Sequence, residues 1–445
     1  MNATETEEVS QDPSVRGANM VDLVIGSPEW VHRRVDTLTL GTDGDTQRSI
    51  SLDITLPKSL KVEASGKRVL LPLAFIRKGA LRRVSTAGPN KHPFPILEKA
   101  RNSEIAREML LAMIPEEWVR GQESKVAAAV GLIVRHDGIK SGNPAKQLKR
   151  LLTSITKSRE EDAEQVQTIS DLARTLQTHF LLIGELDEMH LDTRCIIKIS
   201  YEHELEFDDG WDYSTVFRYD LPDYGFAASE HVEVVVPSEL TLRIVSLSEA
   251  GGEGSSPTNE DIPTTERARG HVALPPTDRF TEASVVVEVA PSKRGIFPFA
   301  AISVAVCTAV TGLALMERFE VLTIVDRSRD IPTTAVSLLL AGPALFLSWI
   351  ARTPEHEIVA KLLNPLRLCL LMCAAVFLGL GAVAAFPLTR EAWDVVWLLI
   401  YGGAFVSLGW FVAFRLALRR RLTKALDLLV RRVRSRKKSE GGMRR

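Results

Sequence analysis

The stretch 297-FPFAAISVAVCTAVTGLALM-316 carries no ionised side chain. At 1.5 Å rise per residue it matches the roughly 30 Å hydrocarbon core of a bilayer. Three further segments of the same kind follow, Thr333–Ile350, Leu366–Phe386 and Val395–Ala417. None has a charge in its middle, where one would cost at least about 2.5 kcal/mol. The pattern predicts an α-helical membrane domain of four transmembrane helices over residues 296–418, behind a soluble head. Pro343 falls inside the second segment and is expected to kink that helix.

The formal charge of −1 conceals an asymmetry between the ends. From Arg415 to Arg445 thirteen Lys and Arg face only Asp427 and Glu440, which gives a tail of +11 on a chain that is otherwise −12. Over 419–445, Arg419, Arg420, Arg421, Lys424, Arg431, Arg432, Arg434 and Arg436 accompany an apolar stripe of Leu418, Leu422, Leu426, Leu429 and Val433. This is the pattern of a basic amphipathic helix, whose expected partners beside a span are the bilayer and its anionic phospholipid headgroups. No aromatic residue is interleaved with the arginines, so nucleic acid is not an expected partner. Lys and Arg collect on the cytoplasmic side, which places the C-terminus there. Four spans return the chain to the same side. The expectation is therefore a multi-pass cell-membrane protein with both termini cytoplasmic.

The opening residues agree with that orientation. Met1 to Asp12 are acidic and polar, unlike the basic lead and apolar stretch of a secretory signal. Of four cysteines only Cys195 lies in the head, so no disulfide framework is expected there.

The head reads as an α+β domain over residues 20–290, behind a disordered lead at 1–19. Ile50, Leu52, Ile54 and Leu56 alternate with polar residues at the period of a half-buried strand. The same alternation returns at Arg194–Phe207, Val232–Val236, Leu240–Ile244 and Val285–Val289. Pro72, inside the apolar run Val69–Ile76, points to an edge or a bulge. Between the strand regions, about 101–178 reads as helical, with Asn143-Pro144 as a helix start and an apolar stripe of Ala163, Val166, Ile169, Ala173 and Leu176. Several short strands around a helical insertion predict an antiparallel β-rich sheet or sandwich. The Gly-, Ser- and Pro-rich stretch 249–281 reads as a flexible loop.

The motifs favour binding over catalysis. Glu202, His203, Glu204 and Glu206 are metal-ligand types, but alternation puts His203 on the opposite strand face from the three glutamates. Glu185, Asp187, Glu188, His190 and Asp192 read as a turn between strands. His231 and His271 sit beside strands and lack an acid or nucleophile nearby in sequence. There is no nucleophile elbow, phosphate loop or dinucleotide fingerprint, so no cofactor and no metal are expected and the catalytic residues, if any, are unknown. Small residues four apart, Thr308/Gly312 and Gly403/Ser407, suit close helix packing or a homo-oligomer contact.

The stretches Val69–Leu97 and Leu338–Leu371, the latter with its connection Ala351-Arg352-Thr353-Pro354-Glu355-His356-Glu357, carry a resemblance. Together with the order of parts, they resemble bacterial, actinobacterial-type integral membrane proteins of uncharacterised function, with a cytoplasmic mixed head and four C-terminal spans. The resemblance implies a layout and assigns no residue a role. The expectation from sequence is a membrane-anchored sensor or scaffold whose head binds a protein partner or ligand. A transporter or channel component is the alternative, and a membrane-anchored enzyme the third reading.

Overall fold

The computed structural model describes residues 12–41, 46–64, 67–79, 82–136, 143–156, 160–202, 215–249, 260–261, 268–274, 281–292, 296–319, 341–345, 347–348, 350, 357–385, 389, 391–392, 394–413 and 416. Two adjacent strands organise the head. β1 (Val31–Leu40) and β2 (Thr46–Ile54) pair antiparallel, and both bury alternate residues. In β1 an irregularity between Val31 and Arg33 switches the buried face, so Arg34, Asp36, Leu38 and Leu40 all point inward. In β2 the inward face is Thr46, Arg48, Ile50, Leu52 and Ile54.

The other strands are β3 (Val62–Glu63), β4 (Arg68–Arg77), β5 (Arg82–Ala87), β6 (His179–Asp187), β7 (Cys195–Glu202), β8 (Thr215–Tyr224), β9 (Glu230–Val235), β10 (Leu240–Glu249), β11 (Glu260–Asp261), β12 (Arg269–Leu274) and β13 (Thr281–Pro291). They form three sheets, ordered β12-β9-β1-β2-β7-β5, β11-β10-β13-β8 and β3-β4-β6. The register of β4 on β6 shifts between Pro72 and Ala74, the bulge that a proline in a strand requires. The helices are α1 (Pro13–Ile25), α2 (Ser27–Trp30), α3 (Lys99–Ala112), α4 (Glu116–Val119), α5 (Glu123–Arg135), α6 (Pro144–Thr156) and α7 (Glu160–Thr178).

Two apolar cores result. The first joins α1, the helices from α3 to α7, the strands β4 and β6, and the inward faces of β2 and β7. The second takes Leu38 and Leu40 of β1 with β8, β9, β10, β12 and β13, and runs on into the C-terminal helices through Ala300, Val304, Leu362 and Leu366. Among the described residues, three apolar helices are long enough to cross a membrane: Ile296–Met316, Leu362–Gly381 and Asp394–Ala413. Large apolar side chains point outward along them, among them Ile302, Leu378, Leu398 and Phe405, each more than half exposed. A water-soluble protein rarely presents such a surface, whereas lipid accepts it.

The structure departs from the sequence-based expectations in several places. The head is α+β, but its largest sheet is mixed rather than antiparallel, because β9 runs parallel to β1. A parallel pair needs a crossover, and the chain supplies one of nearly the whole head between the two strands. Part of the expected disordered lead is α1, whose start is capped by Asp12 accepting from the Ser14 amide at 2.9 Å. Arg16 of α1 reaches Glu108 of α3 in a buried ion pair, and Gly17 lets the two helices close: a Cβ there would stand 2.5 Å from the Glu108 carbonyl oxygen. The expected flexible loop 249–281 holds β12, an edge strand of the mixed sheet. Of the expected second span, Thr333–Ile350, most residues lie outside the described ones, and Pro343 sits in the helical stretch 341–345. A second proline, Pro365, lies inside the helix Glu357–Ala385.

Candidate functional site: a charged diagonal between two cores

Partners in register on neighbouring strands share a face, so the pairing of β9, β1, β2 and β7 lays out one inward surface row by row. One row is Glu230, Arg34, Leu52 and Ile197; the next is Val232, Asp36, Ile50 and Ile199; the third is Val234, Leu38, Arg48 and Tyr201. The charged residues step diagonally across it, from Glu230 and Arg34 through Asp36 to Arg48. Below the diagonal, Leu52, Ile50, Ile197 and Ile199 belong to the first core. Above it, Val232, Val234 and Leu38 belong to the second.

Asp36 is the hub. Arg48 reaches it through Nε at 3.1 Å and through a terminal nitrogen at 2.6 Å, and Arg34 donates to it at 3.2 Å. Arg34 also meets Asp223 of β8, at 2.7 Å from the carboxylate and 3.2 Å from the backbone oxygen. The carboxylate contact is close but poorly aligned, an ion pair more than a directed hydrogen bond. The other Asp223 oxygen accepts the Phe75 amide of β4 at 3.2 Å. Asp223 therefore holds β8 of the four-stranded sheet, β1 of the mixed sheet and β4 of the three-stranded sheet at one point. The Arg48 guanidinium lies over the Tyr201 ring, 5.9 Å from its centroid.

Glu230 is the fifth charge. One of its oxygens accepts the amides of Gly225 and Ala227 at 3.0 and 3.1 Å, closing the turn from β8 to β9. Gly225 has φ +97°, a conformation that glycine adopts without strain. Two arginines and two aspartates already balance, so Glu230 adds an unmatched negative charge in a dry place. Burial pushes its carboxyl up to about 7, against the pull of Arg34 and the two amides. Arg34 goes the other way: burial would lower it, but Asp223, Asp36 and Glu230 together hold it above its ordinary value. Burial raises the Tyr201 phenol to about 12 and lowers the nearby His179 to about 4. Within this group, Glu230 is thus placed to change charge near neutral pH.

The arrangement is closed. Arg34, Asp36 and Asp223 are at most 2% exposed, so no substrate reaches them. Their chemistry is positional: they fix three sheets against one another, and Glu230 makes that joint sensitive to protons. Sequence reasoning missed all five charged residues. One signal was present, since the alternation Ile50, Leu52, Ile54 continued backwards puts Arg48 inward.

The residues that sequence did single out are dispersed. Glu185 and Glu188 pair with Arg68 and Lys61, at 2.9 and 3.3 Å, and Asp192 with Lys58 at 3.3 Å. His203, Glu204 and Glu206 lie outside the described residues, as do all eight basic residues assigned to the tail. His231 and His271 meet each other across β9 and β12. Among the described residues no group of three or more His, Cys, Asp or Glu is arranged to hold a metal ion. In the apolar helices Ser407 packs between Cys369 and Cys373, and a Cβ on Gly403 would stand 3.0 Å from Val376. Nothing lies within 4 Å of the corresponding point on Gly312. Among the described residues, therefore, Gly403/Ser407 sits at a close crossing and Gly312 meets no neighbour. No protein family and no curated protein matches the chain.

Proposed function

We propose that this is a non-enzymatic, membrane-anchored sensor or scaffold, in which a partner or ligand bound by the head is read out in the apolar helices. The observation that carries the reading is the second core. Its apolar residues form one cluster that joins β8, β10 and β13 to the helices that begin at Ile296 and Glu357. A head merely tethered to an anchor would end in a solvated linker, and its strands would be indifferent to the helices. The charged diagonal then couples this core to the first one, under the helices α3 to α7.

Hydrogen exchange on the full chain in bilayer discs tests the coupling. Leu362→Ala, at a buried position of the Glu357–Ala385 helix, should speed exchange in β10 and β13 and leave β4 and β6 as they were. Unchanged protection in β13 with an intact bundle would reduce the helices to a tether.

In this reading both termini face the cytoplasm, and Arg419, Arg420, Arg421, Lys424, Arg431, Arg432, Arg434 and Arg436 rest on anionic headgroups. A reporter fused after Arg445 should be active only inside the cell. Replacing Arg431, Arg432, Arg434 and Arg436 with Gln should weaken binding of a tail peptide to anionic vesicles, at about 1 kcal/mol per residue. Binding that ignores both lipid charge and salt would leave the tail as a topology signal.

A further inference from the structure

The pair formed by His231 and His271 has a use that the charged diagonal does not explain. β9 and β12 run antiparallel with Glu233 opposite His271 and Ala273 opposite His231, so the two histidines are diagonal neighbours on one face. Their rings lie 27° from parallel with centroids 5.0 Å apart, and His231 Nδ1 stands 3.0 Å from His271 Nε2. The contact is at the surface, on the edge strand of the mixed sheet. The outer nitrogen of His231, Nε2, is 3.0 Å from the Ser229 hydroxyl.

We propose that His231 and His271 form a two-point clamp for a divalent transition-metal cation, with water completing its coordination. Imidazole nitrogens bind such ions at about 2.0–2.1 Å, and two nitrogens about 3 Å apart then subtend about 90–95° at the ion. That is the cis angle of a square-planar or tetragonal site, the preference of Cu2+ and Ni2+. The Ser229 hydroxyl holds the outer nitrogen of His231, the contact that ordinarily orients a metal-bound imidazole. When Nε2 donates to it, His231 Nδ1 has its lone pair toward the partner. The single proton shared by the two facing nitrogens must then leave the gap. Shifting it to the outer nitrogen of His271 clears the site with no net loss of charge.

Charges of both signs surround the pair. Burial, Arg33 on β1 and His271 all hold His231 below its ordinary value and outweigh the pull of Glu233. Glu233 lies opposite His271 on the neighbouring strand and is 3.8 Å from Arg269.

The test is a Cu2+ titration of the full chain in detergent, followed by calorimetry and by electron paramagnetic resonance. One ion should bind with the spectral signature of two nitrogen ligands. His231→Gln and His271→Gln should each weaken it at least tenfold, and the double variant should do little more than either. His92→Gln, at an exposed position elsewhere in the head, serves as the control and should change nothing. Both variants lie at the surface, so circular dichroism should show the fold unchanged. Loss of binding in only one of the two variants, or in neither, would overturn the clamp and leave adventitious binding to single histidines.

Discussion

The mixed sheet offers one inward face to two different covers. Below the charged diagonal it is covered by α3 to α7 and the three-stranded sheet, a core complete without any membrane helix. Above it the cover is the four-stranded sheet, and the same core continues into apolar helices long enough to cross a membrane. Among the described residues, the first core draws on no C-terminal helix, whereas the second is completed by the apolar helices. What separates them is not a linker but a row of buried charges. Such a row contributes little net stability, because desolvation offsets the attraction, yet it penalises any other stacking of the sheets.

The comparison breaks most severely at Asp36. Asp36→Ala removes the carboxylate that Arg48 grips and leaves Arg34 to Asp223 alone, and should cost about 3–5 kcal/mol, as removal of one partner from a buried pair does. Denaturant unfolding of the full chain in detergent measures it. The variant should also unfold in two separated steps, because the halves would no longer be held together. A loss below about 1 kcal/mol would mean that the diagonal is solvated and divides nothing.

Glu230→Gln should act in the opposite sense. The folded carboxyl titrates at about 7, above its ordinary 4.5, so the folded state binds more protons than the unfolded one between those values. Stability contributed by the wild-type glutamate therefore falls as pH climbs from about 4.5 to 7. At pH 8 the variant, which keeps the oxygen that accepts from Gly225 and Ala227, should be more stable by about 2–3 kcal/mol. At pH 4 the difference should vanish. A constant difference across this range would show that Glu230 does not titrate there.

How legible this was from sequence follows from the same residues. The apolar helices announce themselves, since an uncharged apolar run of about twenty residues is the length a bilayer demands and is rare elsewhere. The strands β2, β7, β10 and β13 show through their alternation, because their inward residues are mostly apolar. β1 does not, because half of its inward face is Arg34 and Asp36, and a period-two pattern assigns such residues to solvent. The bulge at its start then reverses the parity of what remains. β12 is hidden by its composition: its six residues, with Gly270, sit in a stretch that reads as a loop, and only pairing with β9 makes them a strand. The joint was unreadable because its five charges come from four strands spread over nearly two hundred residues.

Within the first half alone, Gly17→Ala sharpens the contrast. The new methyl would press on the Glu108 backbone at the closest approach of α1 and α3, at a cost of about 1–3 kcal/mol. Hydrogen exchange should loosen α1 and α3 while β10 and β13 keep their protection. Loosening of both regions together would mean that the two cores unfold as one.

The smallest effect isolates burial itself. Arg194 grips Asp53 through two nitrogens, at 2.8 and 2.5 Å, on the outer face of the same sheet. The geometry matches that of Arg48 on Asp36, but the Arg194 side chain is 67% exposed. Water screens the attraction and the unpaired partner is simply rehydrated, so Arg194→Ala should cost at most about 1 kcal/mol. The hydrogen bond from Arg194 holds the Asp53 carboxyl below its ordinary value, so this small contribution is present at neutral pH and fades as pH falls through the folded value. It should also shrink in 1 M salt, where the Debye length is about 3 Å, while the penalty at Asp36 stays. Equal costs and equal salt responses for the two variants would show that the diagonal does not depend on its dry surroundings.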